Sequence, residues 1–126
     1  MKRSSRTRPG AFDVVRDIGL TLPDVEVSTY YGTPALKRRG QMLACMASHR
    51  SAEPDTLVVR VDFDRRVLLL ADDPATYYLT DHYVSYPSVL VRLGRVRPDA
   101  LRDLLLVASR TVSRTAAQRR RRARRR

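Results

Sequence analysis

The sequence predicts an α+β fold, a two-layer sandwich in which an antiparallel sheet carries the terminal helices on one face. Three observations predict it. The chain of 126 residues is long enough for one hydrophobic core, amphipathic periodicity marks both of its ends, and short β-branched runs alternate with turn signals between them. Strands joined by short turns pair antiparallel, and amphipathic helices need a face on which to bury their apolar stripe. The predicted order is α-β-β-β-α-β-β-α.

The first half of the chain contains one predicted helix and three predicted strands. Residues 11–22 form the helix, because apolar side chains recur on one face until Pro23 ends it. Residues 24–33 are polar and are predicted to be a connection. Residues 36–49 predict a hairpin whose turn is the basic segment 37–40, and the β-branched residues that follow predict the third strand at 56–61.

The second half begins with a short helix and ends with a long one. Asp62 is a good N-cap for a helix over 63–71. Strands are predicted over 77–80 and 89–93, because both runs combine aromatic or β-branched residues with turn signals at their ends. The last helix begins at 98–99 and carries the most regular apolar stripe of the chain.

The net charge of +12 lies at the ends of the chain. Residues 1–8 hold four basic residues, residues 110–126 hold nine arginines, and neither segment contains an acid. The segment between them, 9–109, has 12 basic and 13 acidic residues and therefore a net charge of −1. We predict a basic N-terminal extension over 1–8, a single domain over 9–112, and an arginine-rich, solvated tail over 113–126.

Composition excludes several classes of protein. No apolar run is long enough for a membrane span, and no apolar segment follows the basic start as in a secretory signal. The single cysteine, Cys45, excludes an internal disulfide and is typical of a reducing cytoplasm. We therefore predict a cytoplasmic protein, with association with the nucleoid as a further option. The five glycines are too scattered for a phosphate-binding loop.

No metal, cofactor or catalytic site is predicted. Soft or imidazole ligands are limited to Cys45, His49 and His82, and the first two would lie about 13 Å apart on an extended strand, too far for one ion. A nucleophilic group of Cys45, His82 and Asp81 lacks a residue that activates the thiol. The favoured interpretation is an inert, buried cysteine in a protein that is not an enzyme.

Two predicted loops, 28–34 and 80–87, hold four of the six tyrosines. Tyrosine offers flat contact area and a hydroxyl group, which suits a ligand or a nucleic-acid surface. The alternative is that these side chains pack the loops onto the sheet. The candidate contact residues are Tyr30, Tyr31, Thr33, His82, Tyr83 and Tyr86.

Four separated blocks of the sequence resemble the MmcQ/YjbR family in order and spacing. They lie at 31–40, 57–62, 77–83 and 86–93, and the resemblance covers about residues 11–109. It implies a bacterial, cytoplasmic protein with a fold similar to that of the bacterial frataxin CyaY. It also implies DNA binding through a double-wing motif.

Basic side chains supply the candidates for the DNA binding that the resemblance implies. In the domain they are Lys37, Arg38, Arg39, Arg60 and Arg92. Arg60 and Arg92 lie in predicted strands and would project together if those strands were neighbours. The candidates in the tail are Arg119, Arg120, Arg121, Arg122, Arg124, Arg125 and Arg126. The tail would bind any polyanion through its charge, without reading sequence.

The leading hypothesis from the sequence is a non-enzymatic DNA-binding protein whose basic termini add phosphate affinity. The alternative is a small-molecule or protein-binding domain that uses the loops around Tyr31 and His82, and a concave pocket lined by these loops would favour it. An iron-binding role like that of frataxin would need an acidic first helix, and this one offers only Asp13 and Asp17. The oligomeric state stays open.

Overall fold

The computed structural model describes residues 8–125, except for the side chains of 114–117. This part of the chain forms six strands in one antiparallel sheet and three helices, which confirms the predicted two-layer α+β sandwich. The helices are α1 (Asp13–Gly19), α2 (Phe63–Asp72) and α3 (Pro98–Arg125). The strands are β1 (Val25–Tyr30), β2 (Thr33–Arg38), β3 (Gln41–Met46), β4 (Thr56–Arg60), β5 (Tyr77–Tyr78) and β6 (Ser88–Arg92).

The strands lie in the order β1-β2-β3-β4-β6-β5, and every neighbouring pair is antiparallel. Because side chains alternate between the two sides of a sheet, every second residue points towards the helices, and we call that side the helix face. A fully buried row of cross-strand partners on it consists of Leu36, Ala44, Val59 and Val89. With Val15 of α1 and Leu105 of α3, this row forms the main core.

Gly19 lets α1 approach the sheet closely. A Cβ atom at this position would lie 2.4 Å from Cδ1 of Leu36 on β2, well inside van der Waals contact. Glycine therefore stands in the last turn of α1 in spite of its low helix propensity, because any larger residue would push the helix away from the core.

The first strand of the sheet is missing from the sequence prediction. Residues 24–33 were expected to be a connection, but 25–30 form β1 and pair with β2 from Val25↔Arg38 to Tyr30↔Thr33. No residue of β1 is fully buried. The alternation of valine with polar residues is confined to 25–28, so the backbone ladder with β2 rather than a buried apolar face defines this edge strand. The observed order is therefore α-β-β-β-β-α-β-β-α.

The turn of the predicted hairpin is shorter than expected. Lys37 and Arg38 are the last residues of β2, and only Arg39 and Gly40 separate it from β3. Both turn residues have positive φ, 51° and 83°, which is the type I′ pattern that matches the twist of paired strands. The hairpin itself is confirmed, whereas the placement of Lys37 and Arg38 in its turn is wrong.

The last helix extends beyond its apolar stripe. Val112 is still buried against the core, and the helix continues as far as Arg125. Residues 118–125 are exposed, so the arginine-rich segment is solvated as expected but continues α3. Arg126 and residues 1–7 lie outside the described residues. None of the helices described between residues 8 and 125 is long and apolar enough to cross a membrane.

Candidate ligand-binding site

The side of the sheet opposite the helix face, which we call the open face, has a smaller core of its own. A row of cross-strand partners runs along it through Ala35, Cys45, Val58 and Leu90. Residues 79–87, which connect β5 to β6 and which we call the cavity loop, place Tyr83 against this row. The three helices of the described chain pack on the other side, so the cavity loop covers only part of the open face.

A cavity of about 520 Å³ lies between the open face, the β1–β2 turn and the cavity loop. Its floor is apolar and includes Met42, Cys45 and Val58. Aromatic side chains form much of its wall, and a few polar groups complete it. The other lining residues are Tyr30, Tyr31, Ser48, His49, Arg60, His82, Tyr83, Tyr86, Pro87 and Ser88.

Five of the six loop residues predicted from the sequence line this cavity. Tyr30 and Tyr31 come from the β1–β2 turn, and three more, His82, Tyr83 and Tyr86, come from the cavity loop. Thr33 is not among the lining residues; its hydroxyl donates a hydrogen bond to the carbonyl of Tyr30 at 2.9 Å. The two tyrosine-rich segments therefore lie on opposite sides of one concave surface, although about 50 residues separate them in the sequence.

Tyr31 occupies an unfavourable backbone position and gains little packing in return. Its φ is 50° and that of Gly32 is 78°, so both central residues of the β1–β2 turn are left-handed, where Asn, Asp or Gly is preferred. Its ring is 83% exposed and meets Tyr30 edge to face at 4.8 Å between centroids. A bulky side chain at such a position costs stability, which points to a role outside the folded core.

His49 and His82 form a stacked pair at the wall of the cavity. Their ring centroids are 3.6 Å apart and their planes differ by 7°. The backbone N–H of Ser51 donates to Nδ1 of His49 at 3.1 Å, which requires that this nitrogen carry no proton. Partial burial lowers the pKa of His49, and the charges of His82 and Arg50 act in the same direction. His49 is therefore favoured in its neutral form at neutral pH.

Arg66 of α2 holds the cavity loop in place. Its guanidinium donates to the carbonyl oxygens of Val84 and Tyr86 at 2.9 Å each and to that of Ser88 at 3.2 Å. The side chain is buried and stacks over the ring of Phe63 at 4.7 Å. Sequence reasoning missed this residue, because an arginine on a short amphipathic helix gives no sign of the loop that it binds.

Arg60 and Ser88 are neighbouring polar residues of the cavity wall. They are direct cross-strand partners at the β4–β6 pair. Nε of Arg60 donates to the carbonyl of Met42 at 2.9 Å, and no carboxylate within residues 8–125 forms a salt bridge with its guanidinium. Oγ of Ser88 is buried without a hydrogen-bond partner in the described structure. Buried polar atoms without partners are rare in folded proteins.

The thiol of Cys45 lies at the floor of the cavity and is a poor nucleophile at neutral pH. Burial raises its pKa to about 11, against a smaller opposing effect of a hydrogen bond with Thr33. At neutral pH the sulfur is a thiol rather than the thiolate that nucleophilic catalysis needs. His82 lines the same cavity, yet the geometry activates no nucleophile at Cys45. No group of three or more metal-ligating side chains occurs among the described residues.

The two strand arginines expected to project together are separated by the register. Arg60 lies opposite Ser88 and Arg92 opposite Thr56, at the two ends of the β4–β6 pair. Arg92 forms two hydrogen bonds with Glu53, at 2.8 and 2.9 Å. It also donates to the carbonyls of residues 74 and 75 and stacks over a tyrosine ring at 4.2 Å. This guanidinium therefore anchors loops within the domain.

The basic residues of the β2–β3 hairpin also have partners inside the chain. Arg38 donates to the carbonyl of Ser109 at 3.2 Å and to the hydroxyl of Ser113, which ties β2 to α3. Arg39 forms a salt bridge with Asp24 at 3.1 Å. Lys37 lies 6.0 Å from the centre of the Tyr30 ring. In contrast, the arginines of residues 119–125 are all exposed along α3.

A solved structure has the same fold. It is the crystal structure of the Deinococcus radiodurans protein DR2400, which is 21% identical and matches with a TM-score of 0.60 over 86% of this chain and 79% of that chain. That protein contains the domain DUF419, which is the YjbR/MmcQ-like family. At this identity the similarity shows the fold alone.

Sequence comparison finds mycobacterial relatives. The uncharacterized proteins Rv2570 of Mycobacterium tuberculosis and Mb2600 of Mycobacterium bovis are each 40% identical to this chain over 55 residues. The matched segment spans 43% of this chain and 43% of each relative. No family model matches the chain.

Proposed function

We propose that the chain is a member of the MmcQ/YjbR family and that its domain binds a small molecule in the open-face cavity. The observation that carries the proposal is the cavity itself. Its volume of about 520 Å³ falls within the range of roughly 300–1,000 Å³ for ligand sites, which are concave, mostly apolar and furnished with a few polar groups. The four sequence blocks and the fold shared with a DUF419 protein support the family.

The charges of the sheet favour this proposal over DNA binding by the domain. A DNA-binding face collects basic side chains that are free to meet phosphates. Arg38 and Arg39 are paired with Asp24, and Arg92 is paired with Glu53. Since residues 9–109 have a net charge of −1, the domain offers little attraction to a polyanion as a whole.

A thermal-shift screen of planar fragments, such as naphthalene, quinoline and indole derivatives, tests the proposal on the full chain. A ligand present at a hundredfold excess over its Kd should raise Tm by about 10 °C in a domain of this size. Tyr31→Ala should abolish the shift, because it removes one wall of the cavity. The matched control Leu68→Ala, on the exposed side of α2, should keep it. Shifts that survive Tyr31→Ala unchanged would contradict binding in the cavity.

A second candidate function rests on the exposed end of α3. Six arginines lie within its last seven described residues, and all of them are exposed. These arginines are Arg119, Arg120, Arg121, Arg122, Arg124 and Arg125. We propose that this segment gives the chain a sequence-independent affinity for DNA, separate from the cavity. Successive helical residues are turned by about 100°, so roughly half of these side chains can face one duplex at a time.

Replacing the six arginines by glutamine tests this second function without shortening the chain. Removal of everything after residue 109 would also remove Val112 from the core, whereas glutamine keeps the helix propensity close to that of arginine. The slope of log K against log salt for a labelled duplex should fall by about three units. Replacing Arg65 and Arg95, two exposed arginines elsewhere, should leave the slope nearly unchanged. An unchanged slope in the sixfold variant would exclude the segment as the DNA contact.

A further inference from the structure

We infer that the ligand of the open-face cavity is a planar, mostly apolar molecule that carries one carboxylate, and that Arg60 holds this carboxylate. The inference rests on the proposed function and adds the chemical class of the ligand. Three observations carry it: the electrostatics of the cavity wall, the unpartnered hydroxyl group beside Arg60, and the aromatic pairs that face each other across the cavity.

The first observation is a positive charge that has no counter-ion among the residues that the structure describes. Arg60 is half-buried, and a hydrogen bond from its Nε to the carbonyl of Met42 fixes the plane of the guanidinium. Neither Asp nor Glu lines the cavity. The other two partly buried arginines of the sheet, Arg38 and Arg92, both have carboxylate partners. A guanidinium that is withdrawn from water and oriented in this way is suited to bind a carboxylate through its remaining N–H groups.

The second observation is the hydroxyl group of Ser88, which is 95% buried and has no partner in the described structure. Ser88 lies directly opposite Arg60 in the β4–β6 register, and both residues line the cavity. Directly opposed residues in a sheet have Cβ atoms about 5 Å apart. An oxygen atom of a ligand bound at Arg60 would therefore supply the acceptor that this hydroxyl lacks.

The third observation is the shape of the walls. Tyr30 and Tyr31 form an edge-to-face pair on one side, and the stacked rings of His49 and His82 stand on the other, with Tyr83 edge-on to His82 at 4.8 Å. Flat aromatic walls above an apolar floor favour a flat ligand, because stacking and burial of apolar area then act together.

The charge of the site favours a carboxylate over a phosphate. A phosphate group near pH 7 carries up to two negative charges and is usually held by several cations or by the N–H groups of a glycine-rich loop or helix N-terminus. Arg60 is the one lysine or arginine among the described residues that line the cavity, and the lowered pKa of His49 favours the neutral form of that ring. One guanidinium balances one carboxylate.

A matched pair of probes tests the inference: 2-naphthoate and its neutral amide, 2-naphthamide. Both would be titrated calorimetrically into the full chain at about 0.15 M salt, where exposed charges are largely screened. The acid should bind roughly tenfold to a hundredfold more tightly than the amide, as expected for a charge-assisted pair in a partly desolvated site. Arg60→Gln should bring the two affinities together by weakening the acid alone.

Further variants separate the cavity from other sources of anion affinity. Arg60→Lys keeps the charge without the planar fork and should retain part of the preference for the acid. Ser88→Ala should weaken binding of the acid by about threefold to tenfold without reducing Tm, since the hydroxyl has no partner to lose. Arg39→Gln, at an exposed arginine outside the cavity, and the sixfold glutamine variant of α3 should both keep the ratio of acid to amide affinity.

The possible failures are distinguishable. If both probes bind equally well and both are lost in Tyr31→Ala, the carboxylate class is wrong and the cavity is still the site of binding. If the acid is preferred but only the sixfold α3 variant removes the preference, Arg60 is not its partner. If neither probe binds, the ligand class is overturned, and the fragment screen decides whether the cavity binds anything. Circular dichroism of Arg60→Gln and Ser88→Ala identifies a loss of binding that is only a loss of fold.

Discussion

The helix face and the open face of the sheet are covered to different degrees, although the same strands build both. Three helices close the helix face, and its central row has no exposed surface. On the open face the cavity loop leaves a cavity of about 520 Å³. Its wall holds the guanidinium of Arg60, which has no carboxylate partner among residues 8–125, and the hydroxyl of Ser88, which has no hydrogen-bond partner there. One face supplies the stability of the domain, and the other carries the groups that folding alone leaves unsatisfied.

Val59 and Val58 provide the most direct test of this difference, because they are neighbours on β4 that point to opposite faces. Val59→Ala should lower the free energy of unfolding by about 2–3 kcal/mol, since it opens a void in a closed core. Val58→Ala should cost about half as much, because its methyl groups already border a cavity. Urea unfolding measures both. Equal losses would mean that the open face is packed as tightly as the helix face.

Arg66 links α2, which packs on the helix face, to the cavity loop on the open face. Its removal should loosen the cavity loop and leave the helix face unchanged. Arg66→Met keeps the apolar stem but loses three hydrogen bonds, two to carbonyls of the cavity loop and one to the carbonyl of Ser88 at the start of β6. The free energy of unfolding should fall by about 1–2 kcal/mol. Amide hydrogen exchange should accelerate in residues 80–88 and stay unchanged in β3 and α3. Acceleration throughout the sheet would show that Arg66 supports the whole core rather than the loop.

Cys45 gives the open face a distinct pH dependence. The folded pKa of about 11 lies above the ordinary value of 9.0, so the folded state keeps its proton where the unfolded state has lost it. Stability is therefore complete below about pH 9 and falls as the pH rises towards 11, by about 1 kcal/mol at pH 10. Cys45→Ala should remove this component from urea unfolding curves taken between pH 8 and 10. Identical slopes in both proteins would contradict a buried thiol.

Tyr31 should show the smallest effect on stability and the opposite sign. Tyr31→Asn places a residue that tolerates positive φ in the β1–β2 turn, and it should raise the free energy of unfolding by about 0.5–1 kcal/mol. The same change should abolish the thermal shift produced by cavity ligands. The control Arg39→Asn makes the equivalent change in the β2–β3 turn and should stabilise without affecting binding. A loss of stability in Tyr31→Asn would mean that the ring is part of the core.

The sequence patterns that predicted the fold are local. They predicted correctly those elements that bury one face and expose the other. The apolar stripe of α3 and the N-cap at Asp62, which accepts a hydrogen bond from the N–H of Arg65 at 2.7 Å, are both visible in the sequence. The strand β1 was missed because an edge strand is defined by its partner. The pairing of Arg60 with Ser88 rather than with Arg92 depends on register, which no single segment encodes.

The sequence by itself determined the fold class, the position of the charge at the ends of the chain, and the two tyrosine-rich segments of the cavity. These follow from periodicity and composition, which are properties of neighbouring residues. Only the tertiary structure decided that the segments face each other, that His49 stacks on His82, and that Arg60 and Ser88 share one wall. These contacts join residues that are remote in the chain. Burial of the helix face fixes the register of the strands, and because side chains alternate, the register also fixes which residues meet on the open face.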